Sequence, residues 1–268
     1  MRGDGGAPLD HLLDVAVEAA RRAGALLADG LGEARHVETK SSATDMVSEM
    51  DRGAEALIRA VLAEQRPGDT VLGEEGGEIA GASGVRWIVD PLDGTTNFLY
   101  GFPAWCVSVA AERDGEIVVG AVFDPTHNEL WTAVRGDGAA RNGAVLPELA
   151  DRADLSTALV ATGFGYLADE RAAQGRLAAY VLPRVRDLRR AGSAALDLCW
   201  VAAARVDAYF EQGTNVWDWA AGALVAAEAG AWVGGYDGGP PSAAGLVAAR
   251  PALAAELRAL IRKASARR

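Results

Sequence analysis

Trp87-Ile88-Val89-Asp90-Pro91-Leu92-Asp93-Gly94-Thr95-Thr96 is an apolar run that delivers two carboxylates three positions apart and then turns through Gly-Thr-Thr. The run reads as a buried strand, and in α/β folds catalytic groups collect at strand ends. The Gly-Thr-Thr turn is able to open a helix, whose N-terminus binds phosphate through free N–H groups and the helix dipole. Two carboxylates beside a phosphate repel it and each other unless a cation stands between them. Pro91 has no N–H with which to continue a ladder, so the strand is expected to stop at Asp90. An unpartnered carboxylate buried there is costly and calls for a cation or a donor. The stretch points to metal-assisted chemistry on a phosphate.

Outward from it, apolar positions at helical spacing predict helices over 9–31 and 47–65, the first stopped by Gly30 or Gly32. Strands are expected at 70–73, 86–89, 105–112, 116–123 and 129–134. Asp114-Gly115 supplies a hairpin turn, so this middle stretch reads as an antiparallel meander. Further on come strands at 158–162, 206–211, 231–233 and 245–248. Helices are expected at 172–185, 193–204 with Ser193 as cap, 218–229 and 251–264. This order predicts an α/β (α+β) fold of layered sheets and helices. It forms one unit over 1–268, with an α+β half at about 9–150 and an α/β half at about 151–265.

The 268 residues are half hydrophobic, which suits a globular fold. The formal charge of −11 argues against direct nucleic-acid binding, which needs a basic surface. The basic tail at Arg262, Lys263, Arg267 and Arg268 reads as the solvated end of a helix. Cys106 and Cys199 are expected as free core thiols. The start of the chain has no apolar signal segment, and no apolar stretch is long enough to span a bilayer. A cytoplasmic location and no membrane partner are expected.

Three acidic clusters are candidates for chemistry: Glu74 and Glu75 between Gly73 and Gly76, Asp90 with Asp93, and Asp218 in Val216-Trp217-Asp218-Trp219-Ala220-Ala221-Gly222. Taken alone, Asp218 reads as a helix N-cap and the glutamates as a solvated turn. Hard oxygen donors without a Cys or His cluster favour Mg²⁺ or Mn²⁺. His11, His36 and His127 are scattered and read as surface or structural.

With these motifs in order, the chain resembles the inositol monophosphatase family. Asp90 to Thr95 is similar to its first signature, Asp-Pro-x-Asp-Gly-Thr, and Trp217 to Gly222 to its second, Trp-Asp-x-Ala-x-Gly. Also similar are Gly73-Glu74-Glu75, Lys40-Ser41-Ser42 with Asp45 and Asp51, Ala191 to Ala195, and Val206 to Glu211. The match runs from about Leu9 to Ile261. Gly165 stands where many bacterial relatives have proline. Trp219 is bulky for the free position of the second signature and reads as core packing.

The resemblance implies a layered α-β-α-β-α sandwich, of the type shared with fructose-1,6-bisphosphatase, and a lithium-sensitive hydrolase that forms homodimers. It implies one Mg²⁺ on Glu74, Asp90 and the Leu92 carbonyl, a second on Asp90, Asp93 and Asp218, and a third, weaker one reached from Glu74 through water. Asp51, Glu74 and Thr95 are the implied catalytic residues, Asp51 and Thr95 orienting the attacking water. Gly94 and Thr95 cradle the phosphate through backbone N–H groups. Gly192, Ser193, Ala194, Glu211, Asp93 and Asp218 line the substrate side, and Lys40 lies on a loop near the site. The expected substrate is a small phosphorylated polyol, foremost myo-inositol-1-phosphate. Histidinol phosphate, fructose-1,6-bisphosphate and 3′-phosphoadenosine-5′-phosphate are rivals, the last disfavoured by the short chain. A rival of another class is a regulatory protein that binds RNA polymerase or another macromolecule.

Overall fold

The computed structural model describes residues 7–32, 37–39, 46–150 and 154–265. Helices α1 (Leu9–Asp29) and α2 (Glu49–Gln65) flank a two-stranded ribbon of β1 (Val37–Thr39) and β2 (Met46–Ser48). Pairing of Met46 with Thr39 takes the chain up to Ser48 into the ribbon, so α2 starts later than its periodicity predicts. Then follow β3 (Thr70–Gly73), β4 (Gly77–Ile79), β5 (Val85–Asp93), the short α3 (Thr95–Leu99), β6 (Cys106–Arg113), β7 (Glu116–Asp124), β8 (Glu129–Val134), β9 (Gly138–Arg141) and β10 (Ala144–Val145). These strands form a sheet in the order β10-β9-β8-β7-β6-β5-β3-β4. From β5 to β10 it is the expected antiparallel meander, and Asp114 and Gly115 take the positive φ values of 54° and 79° that the hairpin turn needs. The pairing of β3 with β5 is parallel, which the expectation of a wholly antiparallel sheet missed.

The second half runs β11 (Leu159–Thr162), α4 (Ala168–Val181), β12 (Asp187–Arg189), α5 (Ala194–Ala202), β13 (Ala208–Glu211), α6 (Val216–Glu228), β14 (Trp232–Gly234), β15 (Leu246–Ala249) and α7 (Pro251–Ser265). Its sheet has the order β12-β11-β13-β15-β14, parallel as far as β13 and antiparallel beyond. The helix expected at 172–185 starts earlier and stops before Pro183, which sits in a 3₁₀ turn at Leu182–Arg184.

Four apolar clusters give the layers. Leu12, Val15, Ile58 and Leu62 of α1 and α2 pack on Trp87, Val89, Val107 and Val109, one face of the first sheet. Ile88, Ala110 and Val122 on its other face meet Leu196, Cys199, Ala221 and Leu224 of α5 and α6. Those two helices also cover Ala161, Tyr209 and Ala248 of the second sheet, while α4 and α7 close its far side through Leu177, Val181, Leu253 and Leu257. The molecule is therefore the expected α-β-α-β-α sandwich, with α5 and α6 as its middle layer.

Small residues where α5 and α6 meet let these two helices approach closely. A Cβ on Gly222 would stand 2.9 Å from both the Ala195 carbonyl oxygen and the Leu198 Cβ, so α5 and α6 touch nearly backbone to backbone there. Gly222→Ala is expected to destabilise by about 1–3 kcal/mol through overpacking. A thermal melt checks this, and an unchanged Tm would contradict the close packing.

Candidate active site

The strand β5 does not stop at Pro91. It continues to Asp93 with a register shift, Asp90 facing Ser108 and Asp93 facing Cys106 of β6. Three steps along β5 thus oppose two along β6, a bulge that accommodates the proline and corrects the expected strand end. In a regular strand, residues three apart face opposite sides. The inserted residue resets the alternation, and Asp90 and Asp93 line one cavity of about 400 Å³ together with Glu74, Thr95 and Leu92 from the first half. Asp218, Glu211, Gly192, Ser193 and Ala194 line it from the second half.

Each carboxylate is held by local chemistry. Leu92 N–H donates to Asp90 Oδ1 at 3.0 Å. One oxygen of Asp93 accepts the Ser193 hydroxyl and the Ala195 N–H, both at 2.7 Å, so Asp93 closes the first turn of α5 beside the Ser193 cap. Asp218 is not the helix cap it resembles in isolation. Asn215 holds that place, α6 starts at Val216, and the Asn215 N–H donates to Asp218 Oδ2 at 2.7 Å. Glu74 N–H donates to the Val89 carbonyl at 3.2 Å, which fixes the turn beside Asp90. The Thr95 hydroxyl lies 2.9 Å from Asp51 Oδ1 and 3.1 Å from the Leu92 carbonyl oxygen, and Asp51 is buried on α2. Gly94 caps α3 with φ of 101°, a conformation that suits glycine.

Electrostatics set this cavity apart. Burial pushes Asp90 well above the usual carboxylate range, and the charges of Glu74, Asp93 and Asp218 push it further. Burial, then Asp93 and Glu74, raises Asp218 in the same way. Burial lifts Asp93 to about 6 against the opposing hydrogen bonds from Ser193 and Ala195. Glu211 rises to about 7, again through burial, although the Tyr209 hydroxyl donates to its Oε2 at 2.8 Å.

Among the described residues, no group of three or more His, Cys, Asp or Glu side chains is gathered closely enough to hold a metal ion as it stands. The carboxylates ring an open cavity instead. Their oxygen-only character and mutual repulsion fit a hard cation that keeps part of its water shell, as Mg²⁺ does.

Some contributors escaped the sequence reading. Arg190 lines the cavity two residues before Gly192, and its charge lowers the proton affinity of Asp93 and Glu211. Gly163 also lines it; a Cβ there would collide with the Glu211 carboxylate. The Cys106 sulfur lies 3.5 Å from the Ser193 oxygen, so this free buried thiol adjoins the cavity. A basic residue beside the Gly192-Ser193 motif was the available signal for Arg190; no local pattern marks the other two. Gly165 lines the cavity and its N–H donates to Gln174 Oε1, while Trp219 is half-buried and packs against the core rather than lining the cavity. His11 is exposed and His127 pairs with Asp124, both away from the cavity. His36, Lys40, Ser41, Ser42 and Asp45 lie outside the described residues.

The sequence profile of the inositol monophosphatase family matches residues 8–266. The inositol-1-monophosphatase of Mycobacterium leprae is 49% identical over 237 residues, covering 85% of this chain and 81% of the relative. A protein of Pasteurella multocida named Nus factor SuhB is 40% identical over 254 residues, 93% of this chain and 95% of its own. The crystal structure of the extragenic suppressor protein suhB from Bartonella henselae superposes with a TM-score of 0.89 at 39% identity, covering 94% of this chain and 98% of that one. Among the described residues, no helix is long and apolar enough to cross a membrane.

Glu211 yields a pH test in the metal-free protein. Its folded-state pKa of about 7 lies above its ordinary value of 4.5, so its contribution to stability is full below pH 4.5 and is lost as pH rises through 7. In EDTA, Glu211→Gln is expected to gain in Tm over the parent progressively across that window. A Tm difference that stays flat from acid to alkaline pH would contradict the shift.

Proposed function

The chain belongs to the inositol monophosphatase family, and from that premise we propose that it hydrolyses a small phosphate monoester with Mg²⁺, its preferred substrate being myo-inositol-1-phosphate. The observation that carries this reading is the convergence of Glu74, Asp90, Asp93 and Asp218 on one cavity, where burial disfavours the charged forms of the three aspartates and neighbouring carboxylates push Asp90 and Asp218 further. We assign Glu74, Asp90 and the Leu92 carbonyl to one Mg²⁺, and Asp90, Asp93 and Asp218 to a second, with Mn²⁺ as a substitute. When bound, the ions supply positive charge to the phosphate and lower the pKa of the attacking water.

The chain's own part follows from its hydrogen bonds. Thr95 directs its hydroxyl proton to Asp51, which frees the Thr95 oxygen to accept a proton-bond from a cavity water and aim that water's lone pair at phosphorus. The leading N–H groups of α3, which no helical carbonyl takes up, face the phosphate oxygens. Positioning and charge dominate phosphoryl transfer, so no covalent nucleophile is required. On the alcohol side, Glu211 accepts from Tyr209 through one oxygen and offers the other to polyol hydroxyls, beside Gly192, Ser193 and Ala194. We treat 1–268 as one catalytic unit, because both halves line the cavity. Lithium inhibition and a homodimer belong to the same reading.

The relative named a Nus factor favours a second reading, in which this fold also binds a macromolecule such as RNA polymerase. Its mark would be stoichiometric capture of that partner, unaffected by loss of Asp93.

Asp90→Asn is expected to lower kcat/KM by about 10³-fold or more at saturating Mg²⁺, with the fold retained by circular dichroism. Turnover like that of the parent would remove the metal assignment. A phosphate-release panel over myo-inositol-1-phosphate, histidinol phosphate, fructose-1,6-bisphosphate and 3′-phosphoadenosine-5′-phosphate is expected to give the highest kcat/KM for the first. A higher value for histidinol phosphate would replace the substrate while leaving the chemistry in place.

A further inference from the structure

Glu55 is a buried carboxylate that the chemistry above does not use. It lies on α2 one helical turn after Asp51 and one before Arg59, so a single stripe of that helix carries all three. Its side chain enters the turn between β3 and β4. Glu75 N–H donates to Glu55 Oε2 at 2.7 Å and Gly76 N–H donates to Oε1 at 2.8 Å. Arg59 Nε donates to Oε1 at 2.7 Å, and Arg59 Nη2 donates to the Gly77 carbonyl at 2.6 Å. The fit leaves no room for side chains: a Cβ on Gly73 or on Gly76 would stand 2.6 Å from the Glu55 carboxyl group. The residue wrapped by this clamp is Glu74, tied on its other side to the Val89 carbonyl, next to Asp90.

We propose that Glu55 is a positioning residue, whose Arg59-held carboxylate moulds the Gly73–Gly77 turn, presents Glu74 to the cavity and thereby sets the affinity for the divalent cation. This rests on the reading of Glu74 as a metal ligand. The physical reason is that a three-residue turn carrying a charged ligand has little of its own to hold its shape. Two backbone donors gripped by one charged acceptor fix it through strong, charge-assisted hydrogen bonds. A glutamine at 55 has one acceptor oxygen and turns an NH₂ group toward one of the two N–H donors, so it opens the clamp without emptying the space. Gly76→Ala opens it independently, by pushing the same carboxylate away.

The test uses the full-length protein and two readouts: Mn²⁺ binding by electron paramagnetic resonance, and the Mg²⁺ concentration giving half-maximal phosphate release. Glu55→Gln and Gly76→Ala are each expected to weaken Mn²⁺ binding and raise half-saturating Mg²⁺ by about ten-fold, with kcat largely recovered at saturating Mg²⁺. Leu257→Ala, in the core under α7, serves as the merely destabilised control and is expected to lower Tm without moving either metal readout. Glu74→Gln separates the two layers of the argument. If it abolishes tight Mn²⁺ binding while Glu55→Gln and Gly76→Ala behave like Leu257→Ala, the clamp is overturned and the metal reading stands. If Glu74→Gln leaves Mn²⁺ binding intact, the metal reading fails and the clamp's purpose with it.

Discussion

One oxygen of the Asp93 carboxylate accepts both the Ser193 hydroxyl and the Ala195 N–H at 2.7 Å, and that contact holds the two halves of the cavity in register. Asp93 ends β5 in the first sheet, and Ser193 opens α5 in the middle layer. Burial raises the pKa of the same carboxylate, and its charge in turn helps to raise those of Asp90 and Asp218. The fold thus spends helix-capping hydrogen bonds to keep one charge in place, while Asp90 and Asp218 have a single backbone donor each. Asn97 adds a second tie from α3, donating to the Ala191 carbonyl at 2.9 Å.

The bulge at Pro91 explains how two carboxylates three positions apart serve one cavity. A strand ending at Asp90 would leave Asp93 to a loop. A regular strand through Asp93 would turn it away from Asp90. The extra residue does neither, and the rigid β5–β6 pairing sets both side chains. On the far wall, Asp218 of α6 and Ser193 of α5 share the cavity with β5, and α6 lies close on the first sheet, where a Cβ on Gly120 would stand 2.8 Å from the Ala221 carbonyl oxygen.

Much of this was legible in the sequence. Two helices, a meander marked by Asp114-Gly115 and alternating elements thereafter pointed to layered sheets and helices, and the α-β-α-β-α order came from the family resemblance. Asp90 and Asp93 were legible from their own setting, because a carboxylate that ends an apolar strand is costly without a partner, whereas Glu74 and Asp218, which alone read as a solvated turn and a helix cap, were singled out through the family resemblance. What escaped has common physical causes. The parallel β3–β5 pair, the short strands β4, β9 and β10 and the edge strand β12 are set by tertiary pairing, with too few residues to show a period. Glu55 reads on its helix as a surface glutamate paired with Arg59, since nothing local shows that a turn 20 residues on will close around it. Gly163 shapes the space for Glu211 by an absent side chain, which leaves no chemical mark in the sequence.

The central claim is that cations neutralise the convergent carboxylates of Glu74, Asp90, Asp93 and Asp218 and hold the phosphate of the substrate among them. Crystals soaked in Mn²⁺ and inorganic phosphate, measured at the manganese absorption edge, test it directly. The account predicts at least two anomalous peaks ligated by these four side chains, with phosphate bound beside Gly94 and Thr95. Phosphate bound in that cavity with no anomalous peak near Asp90 would contradict it.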